Sequence, residues 1–343
     1  LSKNQSPPLK YRFQQMILRS WYNPISWTLL LLPLSWLFQL ISRIRRYNLT
    51  LNQKKNTAPV IVIGNITIGG SGKTPLVIHL AKLFSHAGYK VGIISRGYGR
   101  IESDQKPILV TPNNDASEVG DEPVIIVQQT QCAMVIGRNR IACIEKLLST
   151  FPSTDIILSD DGLQHYKMSR DIEIAVINGN KRFGNGFCLP AGPLREPVSR
   201  LNQVDYVIAS HKALADEYLL SYHLKSFVSL DPQINSIPIP YHSFTEVHAV
   251  AGIGEPAAFF SSLEGIGIKI IKHTFPDHHS YKISDLDFGD DLPIIMTEKD
   301  AVKCKMFNLK NGWFLTIETS LPQEFESTIK NRIKGLLYGK KTV

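Results

Sequence analysis

From residue 59 to residue 177, short β-branched apolar runs alternate with longer stretches in which apolar residues recur at helical spacing. The runs at 60–63, 90–94, 124–127, 133–136, 155–158 and 173–177 predict strands, and 76–87 and 139–148 predict helices. Such alternation implies an α/β fold with a mostly parallel sheet. A Pro- and Gly-rich stretch at 183–197 interrupts it, and a new strand at 204–209 restarts it. Further runs at 249–252, 269–272, 293–296 and 313–316, with helices at 255–264 and 300–307, predict a second, smaller α/β domain. The expected organisation is an N-terminal segment 1–50, a core 51–203, and a domain 204–335 that closes over the core.

The N-terminal segment has a different pattern. Residues 25–41 carry no charge; Trp21, Trp27 and Trp36 lie in or beside them, and Arg12, Arg19, Arg43, Arg45 and Arg46 flank them. Aromatic and basic residues around an apolar stretch mark a membrane interface. A 17-residue helix rises about 25 Å, short of a hydrocarbon core of roughly 30 Å, and Pro33 interrupts it. A helix or broken helix lying in the inner leaflet is therefore favoured over a true span or a buried soluble helix. No small-residue cleavage site follows, which argues against a signal peptide.

Charge agrees with this reading. The chain of 343 residues has a net charge of +8, and 14 of its 38 Lys and Arg precede the first acidic residue, Glu102. A basic N-terminus suits an anionic surface, and the apolar segment selects a membrane over nucleic acid. A hydrophobic share of 43% supports a substantial core. The four cysteines lie far apart without a Cys-x-x-Cys spacing, against a zinc site or disulfide framework and in favour of a reducing compartment.

The candidate chemistry starts at Gly64-Asn65-Ile66-Thr67-Ile68-Gly69-Gly70-Ser71-Gly72-Lys73-Thr74, which joins a predicted strand to a predicted helix. It reads as a phosphate-binding loop. Backbone N–H groups of Gly69, Gly70, Ser71 and Gly72 cradle a polyphosphate, Lys73 neutralises it, and the Thr74 hydroxyl can hold Mg²⁺. Thr67 stands where a glycine is usual. The strand at 155–158 runs into Asp160 and Asp161, where a P-loop fold places its Mg²⁺-facing acid. Gln164 and His165 follow at the strand's carboxyl end, where open α/β sheets hold ligands.

Arg96 and Tyr98, bracketed by glycines after another strand, suit an anionic substrate, and the loop 183–197 with Arg182 and Arg195 has the length of a binding loop. Gly120-Asp121-Glu122-Pro123 reads as an acidic turn before a strand. Asp277-His278-His279 offers acid–base groups but too few ligands for a metal. Thr297-Glu298-Lys299-Asp300 reads as a capping box.

Taken together and in this order, these motifs resemble the tetraacyldisaccharide 4′-kinase family, the lipid A 4′-kinases of Gram-negative bacteria. The resemblance runs from the N-terminal apolar segment to about residue 305 and includes Thr67, which matches the family's form of the loop. It implies ATP- and Mg²⁺-dependent phosphorylation of the 4′-hydroxyl of a tetraacylated glucosamine disaccharide 1-phosphate by a monomer at the cytoplasmic face of the inner membrane. It also implies Asp121 as catalytic base with His278 as its partner, Lys73, Thr74, Asp160 and Asp161 on ATP and Mg²⁺, and Arg140, Gln164, His165, Arg195 and Glu196 lining the active site. Asn178 and Glu255 depart from the pattern, away from the implied chemistry. The competing reading is a membrane-associated P-loop ATPase switch or partitioning factor, which often carries an additional lysine early in its loop; here none precedes Lys73. A kinase of a soluble metabolite would not require the apolar segment. GTP in place of ATP stays open at this level.

Overall fold

The computed structural model of the chain describes residues 16–23, 25–51, 53, 55–97, 106–231, 233, 239–240, 243–277 and 279–341. Twelve strands lie among them: β1 Val60–Gly64, β2 Val91–Ser95, β3 Ile108–Val110, β4 Ala133–Ile136, β5 Ile156–Asp160, β6 Ile172–Asn178, β7 Tyr206–Ser210, β8 Tyr218–Ser229, β9 Glu246–Ala251, β10 Lys269–Thr274, β11 Ile294–Thr297 and β12 Gly312–Ser320. The principal helices are α1 Leu32–Thr50, α2 Lys73–His86, α3 Asp121–Thr130, α4 Arg140–Thr150, α5 Pro256–Gly265, α6 Glu298–Cys304 and α7 Gln323–Lys341. Pairing is mostly parallel, as the alternating pattern predicts.

The chain forms two compact units, each of two stretches: residues 1–73 with 161–219, and 74–160 with 220–343. In the first, β6 pairs in parallel with both β1 and β7. Every residue of β1 and β6 is buried, as expected of continuous apolar runs covered on both faces. In the second, β2 pairs in parallel with β4 and β5, and β3 lies antiparallel to β4. There too β9 pairs in parallel with β10 and β11, β11 with β12, and β12 runs antiparallel to β8. Phe227, Val247, Ala249, Phe259, Leu263, Ile295 and Leu315 form a core around β9 and α5.

One expectation is corrected. Residues 124–127 are helical, within α3, and Asp121 opens that helix rather than a turn before a strand. Val124, Ile125, Ile126 and Val127 are all buried. A β-branched run enclosed on all sides loses the periodicity that separates helix from strand. Gly120 at φ 95° and the acidic pair Asp121-Glu122 supply the helix start.

The N-terminal segment begins with a 3-10 turn, Trp27–Leu31, and continues as α1. Pro33 falls in the first turn of α1, where its missing N–H costs nothing, so it starts the helix instead of interrupting it. The polarity of this helix is inverted relative to a soluble surface helix. Thr28 and Ser35 are fully buried, with Ser35 Oγ donating to the Cys188 carbonyl at 2.8 Å. Trp36, Leu37, Leu40, Ile41, Ile44 and Tyr47 are each more than half exposed.

The first unit also encloses a charged cluster. Arg200, 1% exposed at its side chain, donates to both Glu173 oxygens at 2.6 and 2.7 Å, and Arg170 adds a bond of 2.7 Å. Burial would raise the Glu173 carboxyl, but hydrogen bonds and charge from Arg200 and Arg170 outweigh it and hold the carboxyl below its ordinary value. Arg200→Met should therefore cost about 3 kcal/mol in urea unfolding at neutral pH, because it strands a buried carboxylate. A depressed pKa contributes stability that disappears as pH falls, so the gap from wild type should narrow below about pH 4.3.

Candidate active site

The phosphate loop is built in two halves. Its first half is extended: Ile68 N–H donates to the Pro193 carbonyl at 2.9 Å, and Arg195 N–H to the Ile66 carbonyl at 2.7 Å. Thr67 bridges Leu194 and is buried, which accounts for a β-branched residue in place of glycine: the backbone here is strand-like. The second half turns at Gly69 (φ 107°) and Gly72 (φ 90°), conformations that glycine adopts without cost. Ser71 Oγ is buried and has no hydrogen-bond partner among the described residues. Lys73 then opens α2.

In the same unit Lys73 Nζ lies 3.6 Å from Asp161 Oδ1, and Arg195 reaches both Asp161 oxygens at 3.3 Å. Asp161 has φ 48°, a left-handed conformation that aspartate tolerates better than most residues. Gly162 N–H donates to the Ile63 carbonyl at 3.0 Å and secures this turn on β1. Gln164 Nε2 donates to the Asn65 carbonyl at 2.9 Å and to Glu196 Oε1 at 2.8 Å, while its Oε1 accepts from Arg195 at 3.3 Å. The Tyr166 hydroxyl donates to Glu196 Oε2; burial and then the Glu196 charge push this phenol up to about 12. Lys73, Asp161, Gln164, Arg195 and Glu196 are thus linked in one cluster. His165, half-buried, closes the turn through its backbone.

The loop 183–197 is ordered by its own backbone bonds and by Trp21, whose Nε1 donates to the Pro190 carbonyl at 3.0 Å. Arg182 is taken up by a bidentate pair with Glu217, 2.8 Å on each side. Asn178, one of the two departures noted above, accepts the Asn180 and Lys181 N–H groups at 3.1 and 3.0 Å and so shapes the preceding turn.

In the second unit, Asp160 Oδ2 accepts from Ser95 Oγ at 3.0 Å. Arg140 is buried and donates to the Gly137 and Asp160 carbonyls at 2.7 and 3.0 Å, so its guanidinium fixes the end of β5. Arg96 is exposed after β2. Asp121 is buried at the first position of α3, where a carboxylate gains from the helix dipole. Tyr98 and His278 lie outside the described residues. Of the expected capping box the N-cap half is present: Thr297 Oγ1 accepts from Asp300 N–H at 3.3 Å, while the Asp300 carboxylate takes the Thr297 hydroxyl at 2.6 Å and the Gly252 N–H at 3.0 Å. Thr74, Asp160 and Asp161 are hard oxygen donors of the kind Mg²⁺ takes when it keeps waters and substrate phosphates as its other ligands.

A groove of about 280 Å³ lies within the first unit, with Phe38, Ser42 and Arg46 of α1 facing Gln164, Tyr166 and Arg195. Arg46 and Arg170 each place a guanidinium over the Tyr166 ring, 5.2 and 5.0 Å from its centroid. Tyr166, Glu173 and Arg200 gave no signal in the sequence; only their shared burial reveals them as the floor beneath Glu196.

Residues 27–334 match the family model described as "Tetraacyldisaccharide-1-P 4'-kinase". A tetraacyldisaccharide 4′-kinase of Hahella chejuensis is 41% identical over 335 residues, 94% of this chain and 98% of that one. One from Legionella pneumophila strain Lens is 47% identical over 309 residues, 90% and 94% of the two chains. Among solved structures, an "apo" form LpxK from Aquifex aeolicus in complex with ATP superposes with a TM-score of 0.76 at 26% identity, covering 89% of this chain and 99% of that one.

The extended first half of the loop generates a test. Thr67→Gly, which restores the residue common in such loops, should lower stability by about 0.5–1 kcal/mol through backbone entropy and should not tighten nucleotide binding. Thermal unfolding and nucleotide titration measure the two effects.

Proposed function

The chain belongs to the tetraacyldisaccharide 4′-kinase family of phosphotransferases, and we propose that it moves the terminal phosphoryl of ATP onto the 4′-hydroxyl of a tetraacylated glucosamine disaccharide 1-phosphate during lipid A assembly. The observation that carries this reading is the groove. Its arginine-lined walls join α1, with its exposed apolar face, to Gln164, Arg195 and Glu196 within one compact unit, and Arg195 shares Asp161 with Lys73. A substrate with acyl chains in a bilayer and anionic groups at its surface suits such a groove.

In this proposal the N–H groups of Gly69, Gly70, Ser71 and Gly72 and the Lys73 ammonium hold the phosphates, and the buried Ser71 hydroxyl finds its partner there. Thr74, Asp160 and Asp161 would hold Mg²⁺, which when bound neutralises phosphate charge. Asp121 accepts the proton of the attacking 4′-hydroxyl as its oxygen bonds to the terminal phosphorus and the bridge to ADP breaks; His278 supports that base. Arg96, Tyr98, His165, Gln164, Arg195 and Glu196 orient the sugar and its anionic groups, and Arg140 acts by fixing the β5 end. Phosphoryl transfer asks mainly for such positioning and charge neutralisation. The anchor 1–50, core 51–203 and closing domain 204–335 complete the proposed organisation of a monomer at the cytoplasmic face of the inner membrane. There the exposed residues of α1 enter the lipid.

With labelled ATP, Mg²⁺ and the lipid disaccharide 1-phosphate in micelles, label should appear on the lipid; release only as inorganic phosphate would favour a nucleotide switch. Asp121→Asn should slow lipid phosphorylation roughly 10²–10⁴-fold with ATP affinity unchanged, the pattern of a lost general base. Loss of ATP binding instead would contradict that role. Removing residues 1–45 should shift the protein from membrane to soluble fractions, and unchanged partitioning would rule out the anchor.

A further inference from the structure

The four residues 297–300 do more than cap a helix. Thr297 and Asp300 point inward: Asp300 is fully buried and also accepts the Gly252 N–H at 3.0 Å. The two residues between them grip α3 at both ends. Glu298 accepts from Gln129 Nε2 with both oxygens at 2.8 Å, in the last turn of α3. The Lys299 ammonium pairs with Glu122, in its first turn. Glu122 and Gln129 are seven residues apart, two helical turns, and so share one face of α3. The helix that presents Asp121 is therefore splinted along its length by α6.

The charge environment of Lys299 extends past Glu122. Burial alone would lower its ammonium, but Glu122, Asp121 and Asp277 together raise it above the ordinary value. Asp277 precedes His278 in the chain. One cation thus serves the carboxylate beside α3 and the segment that carries the second proposed acid–base residue, all within the second unit.

We propose that Lys299 is a positioning residue for phosphoryl transfer: it anchors the first turn of α3 through Glu122 and sets its positive charge toward Asp121. This rests on Asp121 being the base. Coulomb coupling is mutual, so a cation placed near Asp121 favours its anionic form.

The test uses the full chain and steady-state kinetics with lipid acceptor and ATP across pH. Lys299→Met should lower kcat about tenfold at neutral pH by loosening the first turn of α3, leave the KM for ATP unchanged, and move the acid limb of the profile to higher pH. The direction follows from losing a cation beside a carboxylate. Lys299→Arg should restore the limb and most of the rate. If Lys299→Met does not fold, Lys299→Gln, which keeps the stem and a donor, takes its place. A wild-type kcat, or a uniform loss of rate with the acid limb unmoved, would overturn the proposal. Asp121→Asn separates the two readings: full turnover in that variant removes the base assignment itself, whereas an essential Asp121 with an unmoved limb in Lys299→Met removes only the role of Lys299.

Discussion

The pairing of residues 66–68 with 193–195 is the constraint on which the first unit's site depends. A phosphate loop must leave its N–H groups unpaired toward the ligand, which is costly unless the surrounding backbone is held from elsewhere. Here the first half of the loop is held as a strand, with Ile66, Cys188 and Leu194 packed beneath it. The flexibility needed for the turn is confined to the glycines from Gly69 onward. The same pairing fuses the phosphate loop to the segment bearing Arg195 and Glu196, and Gln164 adds a third tie at the Asn65 carbonyl. The residues proposed for nucleotide and for acceptor are thereby held as one piece, an arrangement in which electrostatic stabilisation is most effective.

Around that piece, cations and anions are layered. Arg200 and Arg170 neutralise Glu173 in the interior, Glu196 shares its oxygens between Tyr166 and Gln164, and Arg195 meets Asp161 at the surface of the cluster. Glu173 and Glu196, both buried, thus have donors on both carboxylate oxygens. The inverted polarity of α1 follows the same logic: its small hydroxyl residues pack on the protein through Ser35 and the Cys188 carbonyl, and its large apolar residues face outward.

Much of this was legible in the sequence. Most predicted strands appear within two residues of their expected places, though β9 begins three residues earlier and β12 ends four residues later, and the phosphate loop, the Asp160-Asp161 strand end and the Thr297 cap are all where local chemistry puts them. Local patterns failed where burial removed periodicity, as in Val124 to Val127. They were silent on β8 and α7, whose mixed polar and apolar residues face both core and solvent. The residues that escaped notice, Arg200, Glu173 and Tyr166, are polar groups whose meaning lies in partners distant along the chain. Spacing carries no information about such partners. Thr67 shows the converse: an apparent flaw in a motif became intelligible once the strand it pairs with was known.

Asp161 has a further consequence. Its carboxylate already sits against both Lys73 and Arg195, so an arriving phosphate does not meet bare cations but takes over contacts from an anion that is part of the protein. Under the proposed function, nucleotide binding at this lysine would be an exchange of partners, its free energy the difference between two ion pairs rather than the whole of one. In that proposal the exchange would let the loop discriminate: a single negative charge would gain little by displacing Asp161, whereas a polyphosphate could engage the lysine and the loop's N–H groups together.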